Sequence, residues 1–143
     1  MNNDPTPDIG QKTWTDPVRL HFEDIGIQHQ RLAGLMEALD LAVSTARNAA
    51  VDRQMEDLIQ LVQLNFSSEE QFMLEQGYPD RKRHEIRHLR FLEWCMDLQC
   101  CGSDGRGRLT SESCDEIRVW LRNHDAADDR RCRDYYAPVA LEG

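Results

Sequence analysis

The sequence predicts an all-α protein, an up-down-up-down four-helix bundle with an N-terminal arm and a short C-terminal tail. Three observations predict it. Four long segments repeat apolar residues every three or four positions, and strand-like alternation is nearly absent. The breaks between segments are short, marked by Gly77 and Pro79 and by the glycine-rich stretch 102–108. The length of 143 residues suits one domain with one sizeable core.

Residues 1–13 are polar and hold Pro5, Pro7 and Gly10, so they read as a flexible arm before a single domain over 14–143. The first helix is expected over residues 24–47, with the stripe Leu32, Leu35, Met36, Leu39, Ala42 and Val43. The second is expected over 51–76, carrying Met55, Leu58, Ile59, Val62, Phe66, Phe72 and Met73, with Gly77 just past its end. Pro79 suits the first turn of a third helix that reaches about residue 100 and presents Phe91, Leu92, Cys95 and Leu98. After the loop 102–108, Thr110, Ser111 and Ser113 with Glu112, Asp115 and Glu116 form an acidic, hydroxyl-rich helix start. The fourth helix then carries Ile117, Trp120 and Leu121 and fades near Asp125, leaving a tail with Tyr135, Tyr136 and Pro138.

Composition excludes several functions. With 17 Lys+Arg against 26 Asp+Glu the formal charge is −9, the wrong sign for displacing phosphate counterions, and 7% aromatic content gives little to stack on bases; no nucleic-acid partner is expected. No run of 18 apolar residues exists, so no membrane span is expected, and the N-terminus lacks the apolar core of a secretory signal. Five cysteines, with no CxxC among them, fit a reducing cytoplasm better than a disulfide framework.

The polar residues on the apolar stripes are the informative ones. His29 lies three before Leu32 and seven before Met36. Glu69 lies seven after Val62 and three before Phe72, and Asn65 lies four before it. His84 and His88 are four apart, and His88 leads to Phe91. His124 follows Trp120 and Leu121 by four and three. An i, i+4 pair shares a helix face with Cβ atoms about 6 Å apart, so two such imidazoles can close on one ion. A single inward histidine is an ordinary core residue, but four imidazoles and a carboxylate from four helices all need partners. A buried unpartnered Glu69 costs roughly several kcal/mol, a penalty that metal coordination removes. Asp129, just beyond the expected end of the fourth helix, offers a second carboxylate. Bundles that hold two metals build their sites from such inward carboxylates and histidines.

These residues resemble the hemerythrin family, in particular its bacterial branch, from Trp14 to Tyr136. Residues 25–29, Ile-Gly-Ile-Gln-His, resemble I-D-x-Q-H; residues 65–70, Asn-Phe-Ser-Ser-Glu-Glu, resemble H-F-x-x-E-E followed by Met73. Tyr78 through His84, His88 and Phe91 resembles Y…H-x-x-x-H-x-x-F, and Trp120 to His124 with Asp129 resembles W-L-x-x-H-I-x-x-x-D. The resemblance implies a nonheme di-iron centre that binds O2 between the helices. His84, His88 and His124 would ligate one iron and His29 the other. Glu69 and Asp129 would bridge them, with an oxo or hydroxo bridge completing the pair. Leu32, Phe66, Trp120 and Leu121 would line the ligand pocket and keep water out. Imidazole also suits zinc, and one ion or manganese is the alternative loading.

Two departures fall together. Asn65 stands where the family has a histidine, and Asp125 stands where a pocket isoleucine is usual. Gly26 also replaces the usual aspartate. Three readings of Asn65 are open: its carboxamide oxygen ligates weakly, a water fills the position, or Asp125 swings in. His21 is a fourth candidate without a periodicity to orient it. The first three readings each make the second site richer in oxygen, and altered O2 chemistry with metal binding retained is expected. Three functions compete: an O2-binding, sensing or storing module, a di-iron oxidase or peroxidase, and a mononuclear metal-binding protein. A signalling role would need a partner protein. Cys100 and Cys101 suggest redox-sensing thiols, weighed against Cys95 and Cys114 as small core residues and Cys132 as the thiol nearest the metal ligands.

Overall fold

The computed structural model describes the backbone of residues 16–103 and 109–136, and the side chains of 18–100 and 109–136 apart from 125 and 126. The expected arm, Trp14, the loop 104–108, the Asp125 side chain and Pro138 lie outside these described residues. The architecture is a four-helix bundle: α1 (Asp16–Ser44), α2 (Asn48–Gln76), α3 (Arg81–Ser103) and α4 (Ser111–Asn123), the last extended by a π turn (His124–Asp129) and α5 (Arg130–Tyr136). α1 packs against α2 and α4, and α2 packs against α3.

Several boundaries differ from expectation, each for a local reason. α1 begins at Asp16, not residue 24. Val18, Phe22 and Ile25 extend its buried stripe backwards through His29, Leu32, Met36 and Leu39 at alternating steps of four and three. Pro17 is tolerated because the first turn needs no N–H from it. α2 ends as expected at Gly77, whose φ of 67° lets the Gly77 N–H reach the Leu74 carbonyl at 3.3 Å and the Tyr78 N–H reach that of Met73 at 2.9 Å. Pro79 lies in the following turn, so α3 starts at Arg81 and runs on to Ser103. Thr110 caps α4 by accepting the Ser113 N–H at 3.1 Å.

The largest difference is at the end of the chain. The fourth helix does not fade near Asp125 but widens into the π turn and continues to Tyr136, so Asp129, Tyr135 and Tyr136 are helical. In a regular α-helix, residues five apart lie about 140° round the axis. A π turn closes i to i+5 and restores both to one side. His124 and Asp129 therefore both face inward, Nε2 to Oδ1 at 3.3 Å.

The interior has two apolar cores. The larger includes Leu32, Met36, Leu39, Leu58, Val62, Phe66, Phe91 and Ile117. The smaller joins Val18, Phe22, Phe72, Met73, Tyr78, Cys132 and Tyr136. α1, α2 and the extended fourth helix contribute to both cores, α3 to the larger one, and the inward polar residues lie between the two: His29 on α1, Asn65 and Glu69 on α2, His84 and His88 on α3, His124 and Asp129 on the fourth. The result is one polar layer in an otherwise apolar bundle.

Candidate metal centre

Glu69 stands in the middle of this layer. Its Oε1 lies 3.1 Å from His124 Nε2, 3.2 Å from His88 Nε2 and 3.5 Å from His84 Nε2. The His88 and His124 Nε2 atoms are 3.1 Å apart. All four side chains are buried, and their ligand atoms lie within 4.8 Å of one another. On the far side, Asp129 approaches His84 at 3.6 Å through Oδ1 and His29 at 3.3 Å through Oδ2. His29, Glu69 and Asp129 form a second group within the same 4.8 Å limit, sharing Glu69 with the first.

The outward nitrogens of two imidazoles are fixed from behind. His88 Nδ1–H donates to Glu70 Oε2 at 2.7 Å, and His124 Nδ1–H donates to Asp128 Oδ2 at 3.2 Å. Arg87 in turn donates to Asp128. Such carboxylate backing sets the tautomer that leaves Nε2 free to ligate. Aromatic stacking holds the ring planes: Phe66 lies 3.7 Å over His88, and Trp120 stacks on His124 at 4.9 Å and on Phe91 at 3.9 Å.

Charge is concentrated here without full compensation. Burial lowers the proton affinity of His84 and His124, but Asp129 and Glu69 beside the first, and Asp128 and Glu69 beside the second, outweigh it and raise them to about 9 and about 10. Burial raises the Glu69 carboxyl, yet its contacts with His124, His84 and His88 hold it well below the usual range. Even so, Glu69 Oε2, His84 Nε2 and Asp129 Oδ2 are buried with no hydrogen-bond partner. Orphaned polar atoms of this kind are strongly unfavourable inside a bundle unless a further group satisfies them. Imidazole and carboxylate donors converging at this spacing suit a divalent first-row transition metal.

Asn65 does not stand idle. It is 1% exposed, and its Nδ2 donates to Gln28 Oε1 at 2.7 Å. A cavity of about 310 Å³ opens beside it, lined among others by His29, Leu32, Met36, Leu121 and His124. Of the expected pocket residues, Leu32 and Leu121 line this cavity. Phe66 and Trp120 lie on the imidazoles instead, because their ring faces are taken up by stacking. His21 stacks on Phe72 at 3.8 Å and faces Glu69 and Asp129 across a small gap, outside both ligand groups.

Glu70, Asp128, Gln28 and Arg87 escaped the sequence reading. The signals were present for two of them: Glu70 adjoins Glu69, and Asp128 lies four after His124. Cys95, Cys114 and Cys132 are buried free thiols pushed up to about 12, 11 and 12, first by burial, which makes them inert core residues; Cys100 is exposed.

The fold and this layer define a class: a four-helix bundle with a buried histidine–carboxylate centre able to hold metal. No family model matches the chain. A bacteriohemerythrin of Methylococcus capsulatus is 29% identical over 97 residues, 68% of this chain and 74% of its own length. That of Stenotrophomonas maltophilia is 26% identical over 125 residues, 85% and 78%. A crystal structure of a hemerythrin leucine-to-tyrosine variant superposes with a TM-score of 0.74 at 26% identity, covering 82% of this chain and 86% of that one. Together these similarities support a hemerythrin-family assignment.

Proposed function

We propose that the chain is a di-iron protein that binds, senses or stores O2 or a similar small ligand, with an altered second iron site. The observation that carries this reading is the convergence of Glu69, His84, His88 and His124, with buried ligand atoms left unsatisfied by the protein. In it, His84, His88 and His124 hold one ion, His29 holds the other, and Glu69 and Asp129 lie between them. Iron supplies the electron transfer and ligand exchange that no side chain here offers.

The chain's own residues do the rest. Glu70 and Asp128 hold two imidazoles in the ligating tautomer. Phe66 and Trp120 restrict the rings to one plane. Leu32, Met36 and Leu121 give the cavity beside His29 an apolar wall, with Glu37, Arg118 and Arg122 also on its lining. Asn65, tied to Gln28, leaves the second ion with one imidazole and two carboxylates, an oxygen-rich set that favours Fe(III) or Mn over reversible O2 carriage. A cytoplasmic protein fits this reading, and no helix among the described residues is long and apolar enough to cross a membrane.

Elemental analysis with absorption spectra, taken reduced and then in air, tests it. Two irons per chain and a charge-transfer band in air are expected, without a stable, reversible oxygenated spectrum. A protein without bound transition metal would overturn the reading. One ion per chain would favour the mononuclear alternative.

A further inference from the structure

Beyond the metal centre, a second cavity of about 240 Å³ lies between α1 and the fourth helix. Its walls include Arg122, Arg130 and Arg133, and its floor includes His29 and Asp129. Gly26 contributes no side chain to the wall, and a Cβ there would meet nothing within 4 Å. We propose that this cavity is a binding site for a small multi-oxygen anion, phosphate in character, held between Arg122 and Arg130.

Three observations carry it. First, the protein pairs its other inter-helix arginines: Arg87 with Asp128, Arg118 with Asp40, and Arg131 with Asp80. Arg122 and Arg130 have no carboxylate partner among the described residues. Other exposed arginines, Arg31 and Arg90 among them, also lack one there; what sets Arg122 and Arg130 apart is that both line one cavity. Second, Arg133 adds a third positive charge to the same wall, its guanidinium held 5.3 Å over the Phe22 ring. The one carboxylate on the lining, Asp129, already faces His29 at 3.3 Å. Third, the volume falls below the ~300–1,000 Å³ of pockets for drug-sized ligands, which fits an inorganic anion better than a nucleotide. Planar guanidinium forks bind such oxygens in pairs, so two arginines on one cavity favour a multi-oxygen anion over a halide.

Neither arginine is a candidate metal ligand, but His29 and Asp129 line this cavity and Arg122 also lines the one beside Asn65, so the site is tested on metal-free protein to keep it apart from the iron reading. Inorganic phosphate is titrated at low ionic strength by calorimetry and by 15N amide shifts. The expected result is one saturable site per chain, with the largest shifts at Gly26, His29, Arg122 and Arg130. Affinity should fall about tenfold or more in Arg122→Gln/Arg130→Gln, and less than about twofold in Arg90→Gln, an exposed arginine outside the cavity. Added salt should weaken binding. All these side chains are exposed, and an unchanged circular dichroism melt certifies each variant as folded. Absence of saturation, shifts elsewhere, or equal affinity in the double variant, which means an adventitious ion only, would overturn the proposal. Metal content measured on the same variants should be unchanged, which keeps this result separate from that of the iron test.

Discussion

On one side of Glu69, three imidazoles are buried, two are backed by carboxylates, and two are stacked under aromatic rings. On the other side, His29 is half-buried, Asn65 is turned to Gln28, and two cavities flank the layer. In the first half, His88 and His124 each have neighbours that fix both ring plane and tautomer, and His84 meets both of them edge-on. The second half has fewer donors and more space. A bundle can therefore keep one end of a shared site fully determined while the other changes its chemistry, with Glu69 and Asp129 as the common wall.

Removing that wall has the largest expected effect. Glu69→Ala should abolish binding at both positions, bringing metal below about 0.2 ions per chain by elemental analysis. It should also erase the metal-dependent rise in the unfolding midpoint, which for the native protein at a hundredfold excess over Kd is about 2.7 kcal/mol, or about 8 °C. Retention of two ions would remove Glu69 from the shared position.

The next experiment separates the halves. His88→Ala should lose the imidazole-rich ion and weaken the second, whereas His29→Ala should leave one ion per chain with near-native affinity. Equal losses in the two variants would mean that the halves do not differ as their surroundings indicate. A smaller effect comes from behind the ligand: Glu70→Gln should weaken metal binding about 10- to 100-fold in a chelator competition without changing stoichiometry. Asn65→His should act in the opposite sense and on the other half, tightening the second ion about tenfold. It should also move the air-exposed spectrum toward a reversible oxygenated form. An unchanged spectrum would show that the cavity beside position 65, and not the side chain there, sets the ligand chemistry.

Much of this was legible in the sequence because helical periodicity is a local property. Glu69, His84, His88 and His124 each share a stripe with apolar neighbours on the same helix, so their inward direction followed from spacing alone. Asn65, four before Glu69, shares that inward stripe too, whereas its reading as a departure from a ligand histidine rests on the family resemblance and not on spacing. His21 could not be oriented, because the first helix was expected to start after it; Val18 and Phe22 bury against Phe72 and Met73 only once α2 is beside them.

What tertiary structure decided lies mainly in contacts between helices. That Asn65 donates to Gln28, that Glu70 reaches His88, and that Arg122 and Arg130 line one cavity depend on which faces meet, not on any single helix. The π turn is the clearest case. At α-helical spacing, His124 and Asp129 point apart, and the sequence reading took Asp129 as lying beyond the helix. The bundle needs both inside, and one widened turn brings them to the same side. The sequence by itself determined four helices and nearly every inward donor, because side-chain periodicity is set by backbone geometry. The tertiary structure alone decided how those donors are backed, how the two halves differ, and what lines the space around them, because those depend on packing between segments far apart in the chain.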